Sequence, residues 1–371
     1  MLVLGHALAL SSFFDRVISL LTKPLKNTAQ AAAFITFTTI IIAFLNWGLG
    51  LIFGAIFARK VGEHFTKMQY KLNYALIGAA GYVGLMAWHG GLSGSSLTKV
   101  AEKNHIREMA NNIGLPEAIS YSDTVFSSLN LTAFALLLVV LPIAFYFIGK
   151  RSEGSIPSIQ SPQIEKDKPI NLIGAEKIDQ LALLSKAIGA GMIGLAIYIG
   201  VAYQGIPLGY INPNYINFWL LGLCLLLHKN FSQFLIAVND AIIGSAGILI
   251  QFPLYFGILA LMQSSGLIVL ISNWFTAISN QTTLPILTFF SAGLVNVFVP
   301  SGGGQWAIQG PIILEAASKI GVPLNKMILA LAYGDQLTNM LQPFWALPLL
   351  SITGLKAKDI LPYTILLMVL G

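Results

Sequence analysis

The sequence predicts an all-α polytopic membrane protein, and three observations carry the prediction. Hydrophobic residues make up 56% of the chain against 10% charged, and the mean hydropathy is +0.75, far from a soluble globular average. Several stretches, Leu131–Ile148 and Leu181–Tyr203 most cleanly, reach the roughly 20 apolar residues that cross a bilayer. The alternating ten-residue segments of a spanning β-barrel are absent.

Charge and side-chain chemistry narrow the class further. The net charge is +6, but the basic residues lie in short loops rather than in one patch. That argues for a lipid bilayer as partner and against nucleic acid. The single cysteine, Cys224, excludes a disulfide within the chain. The five histidines never pair at i, i+4, so neither a metal centre nor a cofactor is expected.

The elements follow in order. MLVLGHALAL is about ten apolar residues and the closing ILPYTILLMVLG about twelve, both short of a span. Met1–Leu10 shows no basic n-region or cleavage site of a signal peptide. These ends lead us to expect a chain shortened at both. SSFFDRVISLLTKPLKN (11–27) reads as an amphipathic surface helix. Residues 29–58 are apolar but split at NWGLG, and 72–98 break at HGGLSGSS. A span is expected at 124–149, an exposed linker at 150–180, and spans at 181–204 and 214–228. A span at 235–262 is interrupted by GSAG and QFP, and 266–279 is short and apolar. The segment 284–317 is split at PSGGG, and 326–352 breaks around YGDQLTN and QPFW.

This order repeats. Ser11-Ser12 precede Gly48 by about as much as Ser264-Ser265 precede Gly302, and NWGLG aligns with PSGGG. Read as re-entrant hairpins, 29–58 and 284–317 are separated by five spans, so they enter from opposite faces. The expected architecture is an inverted repeat with two re-entrant helical hairpins and two broken transmembrane helices. Its parts are a first repeat, 1–123, connecting spans, 124–234, and a second repeat, 235–371. Alternating sides leave Lys99, Lys103, Arg107, Lys319 and Lys326 on one face and the other 16 of the 21 basic residues opposite. The richer face is then cytoplasmic, and the protein a multi-pass inner-membrane one.

Broken backbone at membrane depth is tolerated where it is buried in protein or lines a polar cavity. A Pro-Ser-Gly-Gly-Gly tip presents N–H groups at the start of a returning half-helix, a seat for a carboxylate. Ser301, Gly302, Gly303 and Gly304 form that tip, with Gln305 and Gln309 on one face beyond it. Asn46, Trp47 and Gly48 form the first tip, and Ser93 and Ser95 lie in the first break. Asp335, Gln336, Asn339 and Gln342 cluster within two turns, and Asp335 is the acid placed near mid-membrane. An intramembrane carboxylate points to ion coupling, by proton or sodium. His89, beside Gly90-Gly91, is a second titratable candidate. Trp306, Phe344 and Trp345 are candidate walls of an apolar pocket, while Gly50, Gly54, Gly78, Gly81 and Gly84 read as packing positions.

FVPSGGGQWAIQGP, AYGDQLTNMLQPFWALP, LNWGLGLIFGAIFAR, the GGLSGS break, LLLHK and AGILIQFPLYFGI together resemble the bacterial short-chain fatty acid transporter family. The resemblance covers nearly the whole chain. It implies uptake of acids such as acetoacetate and butyrate, and the layout of the wider ion-transporter superfamily. It also implies a homodimer with a scaffold and a moving transport domain. Asn46–Gly50 and Ser301–Gly304 would be the tips, with Gly90–Ser95 and Asp335–Asn339 the breaks facing them. The family pattern starts about two spans further upstream and completes its last helix.

The expected function is therefore cation-coupled uptake of a short monocarboxylate by alternating access, without enzymatic activity. A dicarboxylate carrier would want an arginine in the breaks, and none is there. A sodium/proton exchanger leaves the amides and tryptophans unused. An intramembrane serine protease is the rival from another class. It would use the GxSG at 91–94, with His89 as base four residues from Ser93 and no later span carrying a central histidine.

Overall fold

The computed structural model describes residues 1–110, 114–157, 159, 174, 176–205 and 207–371, and among these described residues there are eighteen α-helices. Among the described residues the only β pairing is an isolated bridge between Leu72 and Ser155. Helices α1 (Leu2–Ala9) and α2 (Ser12–Thr22) meet at a 58° bend. Then come α3 (Thr28–Leu45), α4 (Trp47–Met68) and α5 (Tyr74–Tyr82), which tightens into a 3-10 turn over Val83–Met86. Next are α6 (Ser95–Val100), α7 (His105–Ala110), α8 (Ser128–Arg151) and the short α9 (Glu176–Asp179). The middle continues with α10 (Ala182–Ala202), α11 (Pro213–Leu227), α12 (Phe231–Ser264) and α13 (Leu267–Ile278). The last group is α14 (Thr283–Phe298), α15 (Gly302–Ile320) and α16 (Leu324–Thr338), which ends in a 3-10 turn over Asn339–Leu341. Helices α17 (Pro343–Thr353) and α18 (Ala357–Leu370) follow.

Capping explains several of these starts. Asn27, Asn46, Asn73, Ser127, Asn212 and Ser301 each accept a hydrogen bond from the backbone N–H three residues ahead. Each satisfies one of the donors that a helix start leaves unpaired.

Two helix pairs fold back on themselves. Across the turn at Asn46, α4 returns along α3, bringing the rings of Phe34 and Phe57 to 6.2 Å. Beyond the turn at 299–301, α15 returns along α14. Gln305 Nε2 donates to Ala292 O at 2.7 Å near that turn, and Gln281 Nε2 donates to Ile320 O at 3.2 Å at the far end. Helix α4 also meets α5 backbone to backbone, where a Cβ on Gly54 would stand 2.0 Å from Gly81 O. These glycines are packing positions, as expected.

By length and composition, α3, α8 and α10 can each cross a membrane, and the bent α1–α2 pair adds a fourth if it counts as one span. Helices α8 and α10 carry exposed apolar side chains suited to lipid, such as Leu136 and Val201.

Three expectations need correction. Helix α12 runs unbroken through GSAG and QFP, with Pro253 inside it. One lost backbone bond is tolerated in a helix of this length when neighbours re-satisfy the freed group. The first hairpin is longer than 29–58, since α4 continues to Met68. The second long break starts later than YGDQLTN: that stretch stays helical to Thr338, and the break falls at 339–342. The linker at 150–180 falls largely on 158, 160–173 and 175, outside the described residues.

Candidate functional site

The first tip is built by Asn46, which ends α3 and caps α4 through Oδ1, accepting from Leu49 N–H at 2.8 Å. Trp47 N–H donates to Ser93 Oγ at 2.9 Å, and Leu92 N–H donates to Phe44 O at 2.8 Å. The first hairpin is thus tied to the first break. Gly48 is buried in the first turn of α4. Ser95 is not in the break: it opens α6 and is only part-buried.

The second tip approaches the same break. Ser301 caps α15, its Oγ accepting from Gly304 N–H at 3.1 Å and its carbonyl from Gln305 N–H at 2.7 Å. No hydrogen bond engages the N–H of Gly302 or Gly303 among the described residues. A Cβ on Gly302 would stand 2.8 Å from Trp88 Cη2 and 2.9 Å from His89 Cε1, so only glycine fits here without displacing an indole and an imidazole.

His89 joins the parts. It is fully buried, with Nε2 accepting from Ser96 N–H at 3.1 Å at the start of α6. The ring hydrogen therefore sits on Nδ1, which stands 3.2 Å from Asp335 Oδ1. The contact is close but not aligned as a hydrogen bond, and neither Asp335 oxygen has an aligned partner among the described residues. Asp335 is also fully buried. Gln336 Oε1 accepts from the N–H groups of His89 and Gly90, at 3.1 and 3.2 Å.

Buried amides complete the surroundings. Asn130 Nδ2 donates to Gly90 O at 2.7 Å, and Tyr333 OH donates to Asn130 Oδ1 at 3.0 Å. Asn296 Nδ2 donates to Asp335 O at 2.7 Å and to Asn339 Oδ1 at 3.1 Å. Tyr82 OH, at the end of α5, lies 2.9 Å from Asn339 O and 3.0 Å from Gln342 O, sharing its one hydrogen between them and tying α5 to the second break.

The structure brings Asn46, Trp47, Gly48, Ser93, His89, Ser301–Gly304, Asp335, Gln336 and Asn339 into one neighbourhood. Gln305 and Gln309 are turned into their own hairpin: Gln305 Nε2 donates to Gln309 Oε1 at 2.7 Å as well as to Ala292 O. Trp306 faces away from the tryptophan cluster, its Nε1–H donating to His105 Nε2 at 3.0 Å. Trp345 packs edge-on against Trp47 at 5.2 Å, and Trp47 lies 5.7 Å from Trp88. The Phe344 side chain lies outside the described residues. Sequence reasoning missed Trp88, Asn130, Asn296 and Tyr82. Asn130 and Asn296, as amides inside otherwise apolar helices, were the signal available for two of them.

Chemically, unpaired N–H donors gather at the second tip and unpaired acceptors around Asp335. Besides the two Asp335 oxygens, Asn296 Oδ1 and Gln342 Oε1 are buried without partners among the described residues. Leaving such groups unmade costs about 1–3 kcal/mol each, so the arrangement holds uncommitted donors at the second tip and uncommitted acceptors around Asp335.

The fold is shared with solved membrane transporters. The YdaH transporter of Alcanivorax borkumensis superposes with a TM-score of 0.58 at 15% identity, covering 99% of this chain and 80% of that one. MtrF of Neisseria gonorrhoeae, described as illuminating a class of antimetabolite efflux pumps, gives 0.60 at 15% identity, covering 99% and 78%. The family is narrower. The chain belongs to the short-chain fatty acid transporter family, whose sequence model matches residues 1–371. A relative from Escherichia coli K12, provisionally named a short-chain fatty acid transporter, is 37% identical over 371 residues, 98% of this chain and 81% of its own length. One of the same provisional name from Haemophilus influenzae is 36% identical over 370 residues, 97% of this chain and 80% of its own length. The family is a membrane transporter family and not an enzyme family. The protease reading fails with it: Ser93 accepts from Trp47, and His89 Nε2 is bonded to Ser96.

Proposed function

We propose that the protein takes up short-chain monocarboxylates of the acetoacetate and butyrate kind, coupled to a proton or sodium ion and working by alternating access. The observation that carries this reading is the meeting, at Trp88 and His89, of a free helix N-terminus with a buried acid. A helix N-terminus holds an anion with up to about 2 kcal/mol in a partly buried site, without a fixed cation. The absence of any lysine or arginine from 44–50, 86–98, 299–306 and 333–345 favours one carboxylate over two.

In this reading Asn46, Trp47, Gly48, Ser93, Ser301–Gly304 and Asn339 surround the substrate, Ser95 lies outside it at the start of α6, and Gln305 and Gln309 brace the second tip from behind. Asp335, Gln336 and His89 serve the coupling ion. The two helix pairs are re-entrant hairpins of an inverted repeat, 1–123 and 235–371, joined by 124–234. The protein sits in the inner membrane with its lysine-rich loops inside and works as a homodimer in which the site moves against a scaffold.

Uptake of labelled butyrate and acetoacetate into proteoliposomes tests the substrate class. Accumulation of either acid, with succinate excluded, is expected under an imposed proton or sodium gradient. Accumulation of succinate alone would contradict the reading.

A further inference from the structure

We propose that Trp88 is a substrate contact: its indole N–H and the N–H groups of Gly302 and Gly303 form one seat for a single carboxylate. The assignment rests on the transport reading above and goes a step further, naming the side chain that recognises the acid.

Trp88 Nε1 is a buried donor with no hydrogen-bond partner among the described residues, in a side chain that is only 5% exposed. Buried indole N–H groups ordinarily find a partner. The ring is pressed against the second tip, with Cη2 and Cζ2 2.8 and 3.2 Å from the place a Gly302 Cβ would occupy. That edge of the indole, next to Nε1, thus lies against the start of the 19-residue α15, where Ser301 caps Gly304 and leaves Gly302 and Gly303 uncommitted.

The rest of the indole is accounted for. One face stacks on His89, at 4.5 Å and 18°. Trp47 lies 5.7 Å away, and beyond it Trp345. Three N–H donors suit the two oxygens of one carboxylate, and the indole rings offer an apolar wall for a short alkyl chain. A second carboxylate would meet aromatic rings and the acid Asp335 with no cation to pair with, so dicarboxylates are rejected by unpaired charge. Because His89 touches both the Trp88 ring and Asp335, occupation of this seat is felt one residue away at the coupling acid.

The test is concentration-dependent butyrate uptake into proteoliposomes by native protein and two variants. Trp88→Phe keeps an aromatic ring and removes the donor. Incorporating the benzothiophene analogue of tryptophan at 88 replaces the N–H by sulfur in a ring of nearly the same shape. The expected result is a KM raised about 10- to 100-fold in both, as for a lost hydrogen bond to a charged group, with the maximal rate changed far less. If Trp88→Phe does not fold, the benzothiophene variant decides. A KM within twofold of native overturns the assignment of Trp88 while leaving the transport reading standing. No saturable uptake of any short monocarboxylate by native protein overturns both.

Discussion

His89 Nδ1 stands 3.2 Å from Asp335 Oδ1, with both side chains fully buried. The imidazole is fixed from behind by Ser96 N–H, which leaves Nδ1 as the ring nitrogen beside the acid. The pair joins the first broken helix to α16, and no lysine or arginine lies in either break. Among the described residues neither Asp335 oxygen has an aligned partner, so under the proposed function this is where a mobile cation would bind.

His89→Gln is expected to cut gradient-driven uptake at least tenfold. Gln offers an amide but cannot both accept from Ser96 and face Asp335 with a planar ring. Loss of the two contacts should also lower stability by about 1–3 kcal/mol. Uptake rates and thermal unfolding in detergent check both numbers.

Asn130 holds Gly90 O and is itself held by Tyr333. Asn130→Leu fills the volume but leaves that buried carbonyl without its amide donor. The expected cost is about 1–3 kcal/mol, with a lower uptake rate because the first break loses its fixed position. Tyr333→Phe should give a smaller effect of the same sign, measured side by side.

The pH response near α7 has a definite sign. Burial, reinforced by Lys99 and opposed by Glu102 and Glu108, holds His105 below its ordinary value of 6.5. Its Nε2 accepts from Trp306 Nε1–H, so protonation there breaks the bond. Above 6.5 the group is neutral in both folded and unfolded chains, and its contribution is fully present. As pH falls from there toward the lower folded value, the unfolded chain binds the extra proton first and stability is lost. The thermal midpoint of native protein should therefore drop over this window more than that of His105→Gln, whose amide oxygen accepts at every pH.

Gly54→Ala drives a methyl toward Gly81 O, 2.0 Å from the built Cβ, where two backbones meet. Neither side is a flexible chain end, so α4 and α5 must separate. A destabilisation of about 1–3 kcal/mol is expected for such overpacking, read as a lower unfolding midpoint. Gly191→Ala, in α10 with no atom within 4 Å of its built Cβ, is the control and should be neutral or slightly stabilising.

Helices and tips were legible in the sequence because glycine, serine and asparagine interrupt apolar runs at single places. NWGLG and PSGGG each mark a turn whose cap is the residue expected from helix chemistry, Asn46 and Ser301. The reading erred where a polar residue looked like a break. Asp335 and Gln336 both lie inside a helix, where Gln336 accepts from the N–H of His89 and Asp335 lies beside the His89 ring, a placement no local pattern reveals. GSAG and QFP misled in the opposite direction, since a long helix carried them. Trp88 and Tyr82 were invisible for another reason: an aromatic residue in an apolar run looks like core until the partner across the site is known. Gln305 and Gln309 were correctly placed on one face, but the hairpin's own need for hydrogen bonds absorbs them.

The most direct test of the account compares two modes of butyrate movement in the same proteoliposomes, for native protein and Asp335→Asn. One is accumulation driven by a proton or sodium gradient, and the other is exchange of labelled for unlabelled butyrate with no gradient. The account predicts that native protein does both, whereas Asp335→Asn retains exchange and loses gradient-driven accumulation, because the seat for the anion is intact and the coupling acid is gone. Gradient-driven accumulation at the native rate in Asp335→Asn would contradict it.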